Sequence, residues 1–592
     1  MRRGLVALAA LTTVALARPA AAFDWKQLGF GQGVEVKLLG QPLRIDITES
    51  LYGVYHGDLG YLVVEHDNSG RPQPENHFYD VTSRLNVDVT WKRWRLFTRF
   101  DTGVYFGTPD SFTDAGGTHA LNWCGPPSMV TAREQARFCN LPQSGWPAET
   151  FFWPEKFGLE YSGRSVEMKL GDFYISIGRG MVLSLRKLDE LGIDTTLQGA
   201  RFVMHEGDFG ATLAIGATNI QNIDEATGRF APDPFDMIAA GRVEYRFFDK
   251  VLVGLHEVGG VLNQGPNDQL SRNRNAMLMY GGTVDAPRLL SWLSLYLEGA
   301  GQMAQANDVR STGYALYGAA TGYFGHLSLL LEAKHYVNFQ RWRPSIPSTF
   351  PEFQPVNYNN PPTAERIDTE LLAAVYDVSG PRARLDYRVN AWLLVFASYA
   401  YFEDRGAVTG SRVVRTYHDP YAGGELRWQQ GRSHLFPSGG YRVELCGDAD
   451  PSPCNGREFQ HIGHLEWDFA QALPHRLSIE SQGRALFRQG DEVTDTDMAG
   501  KLTFPTWTEG EAYVSLKWTP RLVLVGGLEW STRPSTKANT FFPNGSVQWN
   551  FTTASSLRFW AGGTRGGIKC ISGVCRDFPP FTGARLELVV RL

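Results

Sequence analysis

Long apolar runs are missing from this chain once its first two dozen residues are passed. No stretch after residue 22 approaches the roughly twenty apolar residues of a membrane-spanning helix, and one of the longest is only residues 391–397. A helical membrane protein is thereby excluded. Excess positive charge is missing too. Fifty-seven Lys and Arg face 62 Asp and Glu, a net charge of −5, so there is no basic footprint and nucleic acid is not an expected partner. No Pro/Ser linker, charge block or composition shift cuts the 592 residues, although their length alone suggests three or four domains. Nor is there a G-x-S-x-G elbow, an H-E-x-x-H pair or a phosphate-binding loop. The expectation is a protein that is not an enzyme and carries no cofactor. Cysteine is scarce, six in all, and no paired C-x₂-C spacing suggests a metal site.

What the chain does have is glycine, aromatics and alternation. Sixty-three glycines and 12% aromatic residues accompany a steady strand-turn rhythm. In the last dozen residues Leu586, Leu588, Val590 and Leu592 share one parity, while Arg585, Glu587 and Arg591 share the other. A strand puts successive side chains on opposite faces, so one face is apolar and the other charged. The same two-faced strand recurs in Leu43, Ile45 and Ile47 against Arg44, Asp46 and Thr48, and again in Leu85, Val87, Val89 and Trp91. A sheet closed on itself, with lipid outside and water inside, is the structure that uses such strands throughout. The final strand resembles the terminal strand of bacterial outer-membrane barrels, which the insertion machinery reads, and departs from it in ending on Leu592 rather than an aromatic.

Short turns are expected at Lys92-Arg93 and near Gly163, Gly207, Asp249-Lys250, Pro287, Gly325-His326, Gly380-Pro381, Gly431-Arg432, Pro474, Pro520 and Thr553. Long connections fall between those hairpins, for example at 107–152, 338–367 and 489–510. Eleven hairpins plus a lone first and a lone last strand give an all-β fold, one antiparallel barrel of about 24 strands (about 20–26), with short periplasmic turns and long extracellular loops. Within 368–402 the alternation leaves open whether 385–389 is its own strand. Aromatics crowd the short-turn ends (Trp94, Phe247, Trp292, Phe324, Trp392 and Trp518 among them), as a membrane-interface belt requires. The start of the chain reads as a secretory signal: Arg2-Arg3, an apolar run, then Ala20-Ala21-Ala22 before Phe23. The domains expected are thus a signal peptide (1–22), a short periplasmic segment (23–42), and the barrel (43–592).

The six cysteines fall by pairs into three long connections: Cys124 with Cys139, Cys446 with Cys454, and Cys570 with Cys575. An even count in exposed loops of an exported chain reads as three local disulfides, with none of the six in a strand. Lumen-facing charge is mixed, with Arg95, Arg99 and Asp101, Arg242, Glu244 and Arg246, then Glu332 and Lys334, so no strong anion or cation preference is expected. The densest group is His464, Glu466 and Asp468 followed by Glu480 and Arg484. A hairpin closed at Ala472-Leu473-Pro474 sets Glu466 opposite Glu480 and makes His464 and Arg484 diagonal neighbours. Opposed carboxylates share a proton or hold a cation; the plainer reading is a solvated lumen salt network. Glu511 and Glu529 oppose one another in the same way across Pro520.

Leu170-Gly-Asp-Phe-Tyr174, Gly178-Arg-Gly180 and the run from Leu191 to Gly199 resemble an uncharacterised family of Gram-negative outer-membrane barrels, a domain of unknown function. The likeness extends to Glu332-Ala-Lys-His-Tyr336 and Tyr358-Asn-Asn-Pro-Pro-Thr363. It implies a barrel and an outer-membrane address, and no activity. The glycines around Arg179 suggest a tight backbone path, so this loop, with Arg179 and Asp194, is a candidate constriction. A barrel of 24 strands about 4.8 Å apart, tilted about 40°, has a diameter of about 48 Å, and such barrels carry a plug. With only a short segment before Leu43, the filler is expected from the loops, first of all from 107–152 with Trp123, Trp146 and the adjoining Trp153.

Taken together, the sequence leads to a cell-outer-membrane pore or transporter for small or extended solutes, with a loop-constricted lumen. The alternative is a surface scaffold or adhesion protein with a blocked lumen; a barrel-embedded hydrolase carries least weight. The partners expected are outer-membrane lipid, the barrel-assembly machinery during insertion, and a solute of unknown identity. N-terminal sequencing of outer-membrane fractions should give Phe23 as the first residue, and an intact Met1 would contradict the signal peptide. Non-reducing peptide mapping should recover the three intraloop cystines; free thiols or cross-loop pairs would contradict that arrangement.

Overall fold

The computed structural model describes residues 33–58, 78–106, 148–223, 233, 235–262, 275–306, 309–339, 358–360, 362–364, 377–404, 415–446, 459–490, 506–533, 541–571, 574–578 and 581–591, with the short pieces 65–66, 72–73, 407–408 and 411–412. Among these residues the dominant element is a closed antiparallel barrel of 24 strands, from Gln41–Asp58 to Phe581–Arg591. Closure is made by the two end strands. Leu51 pairs with Leu588, Gly53 with Leu586, and Thr48 with Arg591. The edge of the last strand is thus taken up within the chain, and every spanning strand has two neighbours. Below that seam Val34–Leu38 folds back along Gln41–Asp58, with Leu38 opposite Gln41 and Val34 opposite Ile45, so it continues the sheet where the last strand stops.

The side-chain alternation sorts as the sequence suggests. Leu586 and Phe559 pair on the outer face and are both about half exposed, as are Leu213, Ile215, Leu255 and Leu331 elsewhere on it. On the inner face Arg84, Arg99 and Asp101 are buried and joined, Arg99 reaching Asp101 at 3.0 Å. At the short-turn end Trp94 lies 4.9 Å from Tyr161 and Trp292 lies 5.5 Å from Phe324, centroid to centroid, in an outward ring of aromatics.

Nine of the expected turns fall where the sequence puts them, and two do not. Pro287 is inside the strand Asn275–Leu290, in a break of register between Ala286 and Leu290, and the turn follows at residues 291–292. A bulge is where a strand tolerates a residue with no N–H to donate. Gly380 and Pro381 belong to the strand Val378–Arg388, in a gap in its pairing with Leu393–Asp404. A Cβ on Gly380 would lie 2.0 Å from the Tyr401 carbonyl, so the glycine there permits a close approach and makes no turn. The turn sits instead at residues 389–392, where Asn390 Oδ1 accepts the N–H groups of Trp392 and Leu393 at 2.9 Å each. Two misplaced turns leave the strand count unchanged. One cysteine expectation is also corrected: Cys446 ends the strand Ser433–Cys446, and Cys570 and Cys575 are opposed in the small hairpin of Gly567–Ile571 with Val574–Phe578. The signal region, the loop 107–147 with Cys124 and Cys139, and Cys454 lie outside the described residues.

The parity has a direct test. Leu588 shares the outer face with Leu51 and Leu557, whereas Glu587 shares the inner face with Tyr52 and Arg558. Leu588→Arg places a charge against lipid at a cost of roughly 2–4 kcal/mol near the midplane, while Glu587→Gln keeps a polar group in the lumen. Folding yields measured by heat-modifiable gel mobility should fall sharply for the first and little for the second.

Candidate functional site

The strand Val166–Phe173 is short, eight residues beside the fifteen of Ala148–Ser162. Gly171 ends its regular course. Its φ of +97° and a hypothetical Cβ only 2.3 Å from the Phe157 carbonyl both require glycine there. The chain leaves the wall after Phe173 and rejoins it at Thr196–Glu206. Between them residues 174–195 turn into the lumen. Ile175, Ile177, Met181, Val182, Leu183, Leu185 and Leu191 are all at most 4% exposed, and most belong to the largest hydrophobic cluster of the molecule. That cluster sits inside the barrel, against inward wall residues that are unusually small: Ala214, Ala240, Ala300 and Ala315.

The inserted segment is itself a miniature hairpin. Ile175–Ile177 pairs with Leu183–Leu185, and the turn between them carries Gly178 and Gly180 at φ +60° and +93°. Its tip is held on the wall strand Leu293–Ala306, five strands round the barrel from Thr196–Glu206. The Arg179 guanidinium lies 3.8 Å from the centroid of the Tyr296 ring, a cation–π contact, with Tyr317 behind it at 5.8 Å. The Arg179 N–H donates to Glu298 Oε2 at 3.1 Å, and the Tyr296 hydroxyl donates to the same oxygen at 2.6 Å. Gly178 passes so close to Glu298 that a Cβ would stand 2.3 Å from Oε1. A ladder then runs along the wall: Tyr317 donates to Glu332 at 2.6 Å, Arg382 to Glu332 at 2.9 Å, and Arg382 to the Tyr421 hydroxyl at 3.0 Å.

The far end of the segment is pinned by Asp194, which is 3% exposed. It receives Arg99 Nη1 at 2.8 Å, Lys156 Nζ at 2.5 Å and the Tyr174 hydroxyl at 2.6 Å. Burial alone would raise this carboxyl, but Lys156, Tyr174 and Arg99 outweigh it and hold it down at about 2. Arg179 and Asp194, the two candidate constriction residues, therefore anchor the two ends of one lumen segment. Other loops lie on it. Ser184 N–H donates to the Tyr358 carbonyl and Asn360 N–H to the Gly180 carbonyl, each at 2.8 Å. Tyr358 donates to Asp236, and Arg576 donates to the Leu191 carbonyl at 2.8 Å. The expected gate at 107–152 falls mostly outside the described residues, so the lumen filling that is seen among them comes from 174–195, 358–360, 362–364 and 574–578. A signal for it was present in the sequence: inward positions turn small and apolar along Phe209–Asn219 and its followers, while those beyond residue 415 stay charged.

The group around His464 is not one cluster. The connection after Ala472 carries the one-turn element Pro474–Arg476, so Ala472 pairs with Ser478, Glu466 faces Arg484, and Glu480 faces Ala470. The opposition of Glu466 to Glu480 is thereby corrected: the loop is longer than a tight turn and slides the register. His464 is 3.0 Å from buried Asp419, Asp468 is 3.4 Å from His434, and Glu480 pairs with Lys517. These are separate lumen pairs. Glu511 does face Glu529.

No protein-family model matches the chain, and no curated protein resembles it in sequence. Among solved structures it is similar to the siderophore receptor PirA from Pseudomonas aeruginosa (7% identity, 93% of this chain and 80% of that one, TM-score 0.45). It is also similar to the outer membrane transporter YddB from Escherichia coli (9% identity, 94% and 81%, TM-score 0.43) and to OccK9 from Pseudomonas aeruginosa (12% identity, 68% and 94%, TM-score 0.35). Likeness this distant says nothing about what passes through the barrel. The class follows from the chain's own geometry. A closed, even-stranded antiparallel barrel, apolar outside and charged within, is the outer-membrane architecture.

Asp194→Asn keeps the shape of the anchor and removes its charge, leaving Lys156 and Arg99 partly uncompensated. Breaking one side of a buried pair costs about 3–5 kcal/mol. Trypsin should then cut the segment at Arg179, Arg186 or Lys187 in folded protein, where the wild type resists. Equal resistance would mean that the anchor is dispensable.

Proposed function

We propose that the protein is an outer-membrane pore or transporter for small or extended solutes, and that residues 174–195 are its constriction. One observation carries the reading: a folded segment lies in the lumen and is fastened at two places by charge, at Asp194 beside its own strands and at Arg179 on the strand Leu293–Ala306, five strands further round. A barrel used only as a support has no call for charged latches inside it, whereas hydrogen bonds and cation–π contacts to polar wall groups can be exchanged for water when the segment moves. The lumen keeps both signs of charge, in Arg382–Glu332, Arg242–Glu244 and Arg488–Glu509, which suits weak selectivity by size and hydrogen bonding over a strong preference for one ion. The path involves passage without chemistry, and the long loops face outward with the short turns toward the periplasm. The alternative of a scaffold with a blocked lumen keeps support from the dense packing on Met181 and Leu183.

Planar-bilayer recording separates the two. The refolded wild type should conduct in small, flickering steps, and replacing residues 175–194 by a short Gly-Ser bridge should raise single-channel conductance several-fold. Silence from both proteins, each folded by heat-modifiable mobility, would favour the scaffold.

A further inference from the structure

A second polar cluster lies where the wall strand Ala148–Ser162 meets the chain that follows Phe209–Asn219, and the latches described above do not use it. Glu155, 1% exposed, accepts the Asn222 N–H on Oε1 at 3.0 Å. Its main-chain carbonyl accepts Asn219 Nδ2 at 2.9 Å, and that same amide donates to Asp172 Oδ1 at 2.7 Å. Asp233 Oδ1 accepts the Ile220 N–H at 2.9 Å. Three carboxylates are thus stitched to Asn219, Ile220 and Asn222.

They are not equally satisfied. Asp172 takes three donors, from Phe157 N–H, Thr196 Oγ1 and Asn219 Nδ2. Asp233 has the Ile220 N–H and a hydrogen bond with the Asn222 side chain. Neither it nor Glu155 forms an ion pair among the described residues, because Lys156 and Arg99, the adjacent cations, are spent on Asp194 and Asp101. Two further oxygens have no donor: Glu155 Oε2, and Oδ1 of Asn219, a residue 5% exposed. Buried acceptors without donors cost about 1–3 kcal/mol each, and more when charged. Two of them, on residues joined by a hydrogen bond and beside the Asp233 carboxylate, form the pattern that a hard cation satisfies.

We propose that Glu155, Asn219 and Asp233 bind a Ca²⁺ ion. Among the described residues no three His, Cys, Asp or Glu side chains converge on a metal position, so the third protein ligand is an amide oxygen, with water filling the remaining positions. Two carboxylates and an amide carbonyl suit calcium, which tolerates an irregular shell of oxygens. Magnesium demands a near-ideal octahedron and keeps its water, and zinc prefers the nitrogen and sulfur that this cluster lacks. The ion joins the wall at Glu155 to Asn219 and Asp233, with Asp236 three residues beyond the latter. Asp236 reaches the lumen segment through Tyr358 and Ser184. Calcium at Asp233 thereby sits close in sequence to a residue that rests on the constriction, and the site stands whether or not the barrel conducts.

The test uses full-length protein refolded in detergent free of lipopolysaccharide and washed with chelator, followed by intrinsic Trp fluorescence on heating and by calorimetric titration. Added Ca²⁺ should raise the unfolding midpoint and bind with one ion per chain, with a smaller effect from Mg²⁺ at equal concentration. Glu155→Gln should abolish the Ca²⁺-dependent rise while its midpoint in chelator stays at or above that of the wild type, since a buried charge is gone. Asp233→Asn, in the connecting segment, should weaken Ca²⁺ binding without affecting assembly and serves if the strand variant does not fold. Equal midpoints with Ca²⁺ and chelator in the wild type, an equal effect of Mg²⁺, or a full Ca²⁺ response in both variants would overturn the proposal.

Discussion

The constraint on which the rest of the molecule depends is closure of the sheet. Inside a bilayer no water is available to strand edges, so every backbone donor and acceptor must find a partner within the protein. Pairing Gln41–Asp58 with Phe581–Arg591 meets that demand for the whole set of 24 strands. It also creates a second demand. A ring of that many strands encloses a space about 48 Å across, and a membrane cannot retain its barrier around an empty hole of that width.

The chain answers the second demand with its own loops. Gly171 lets the backbone turn off the wall, the apolar side chains of Ile175, Ile177, Met181, Val182, Leu183 and Leu185 supply a small core, and Ala214, Ala240, Ala300 and Ala315 leave room for it on the wall. Apolar burial gives the segment its place in the lumen. The polar contacts of Arg179 and Asp194 set its position within that space. Stability and function draw on different contacts here. The apolar core keeps the lumen occupied, and the charged ends are the contacts that water or a passing solute can replace.

Much of this was legible in the sequence, for a physical reason. A transmembrane strand has period-two alternation imposed from both sides, so Leu43, Ile45 and Ile47 or Leu586, Leu588 and Val590 announce their face without ambiguity. Turn positions were clear where Lys92-Arg93 or Gly207 interrupts two such strands. They were misread at Pro287 and Gly380-Pro381, because proline and glycine also mark bulges and close approaches within strands. Arg179 and Asp194 were found through the glycines beside them, but their partners Tyr296, Glu298 and Lys156 lie on strands far away in sequence, and no local pattern identifies a lumen contact. The register at His464 failed for a related reason: sliding a hairpin by a few residues leaves the alternation intact while changing every opposed pair.

Residues 174–195 enter the lumen and rest with their tip on the wall strand Leu293–Ala306, five strands round the barrel from where the chain rejoins the wall. The most direct measurement is chemical cross-linking in intact outer membranes of the double variant Arg179→Cys and Glu298→Cys with a short bis-maleimide, beside a control with Leu297→Cys in place of Glu298→Cys. Residue 298 faces the lumen at the segment's tip and residue 297 faces lipid. The account predicts an efficient link from 179 to 298 and none to 297. Absence of the 179–298 link in a folded barrel with both thiols reactive would place the segment elsewhere and contradict the account.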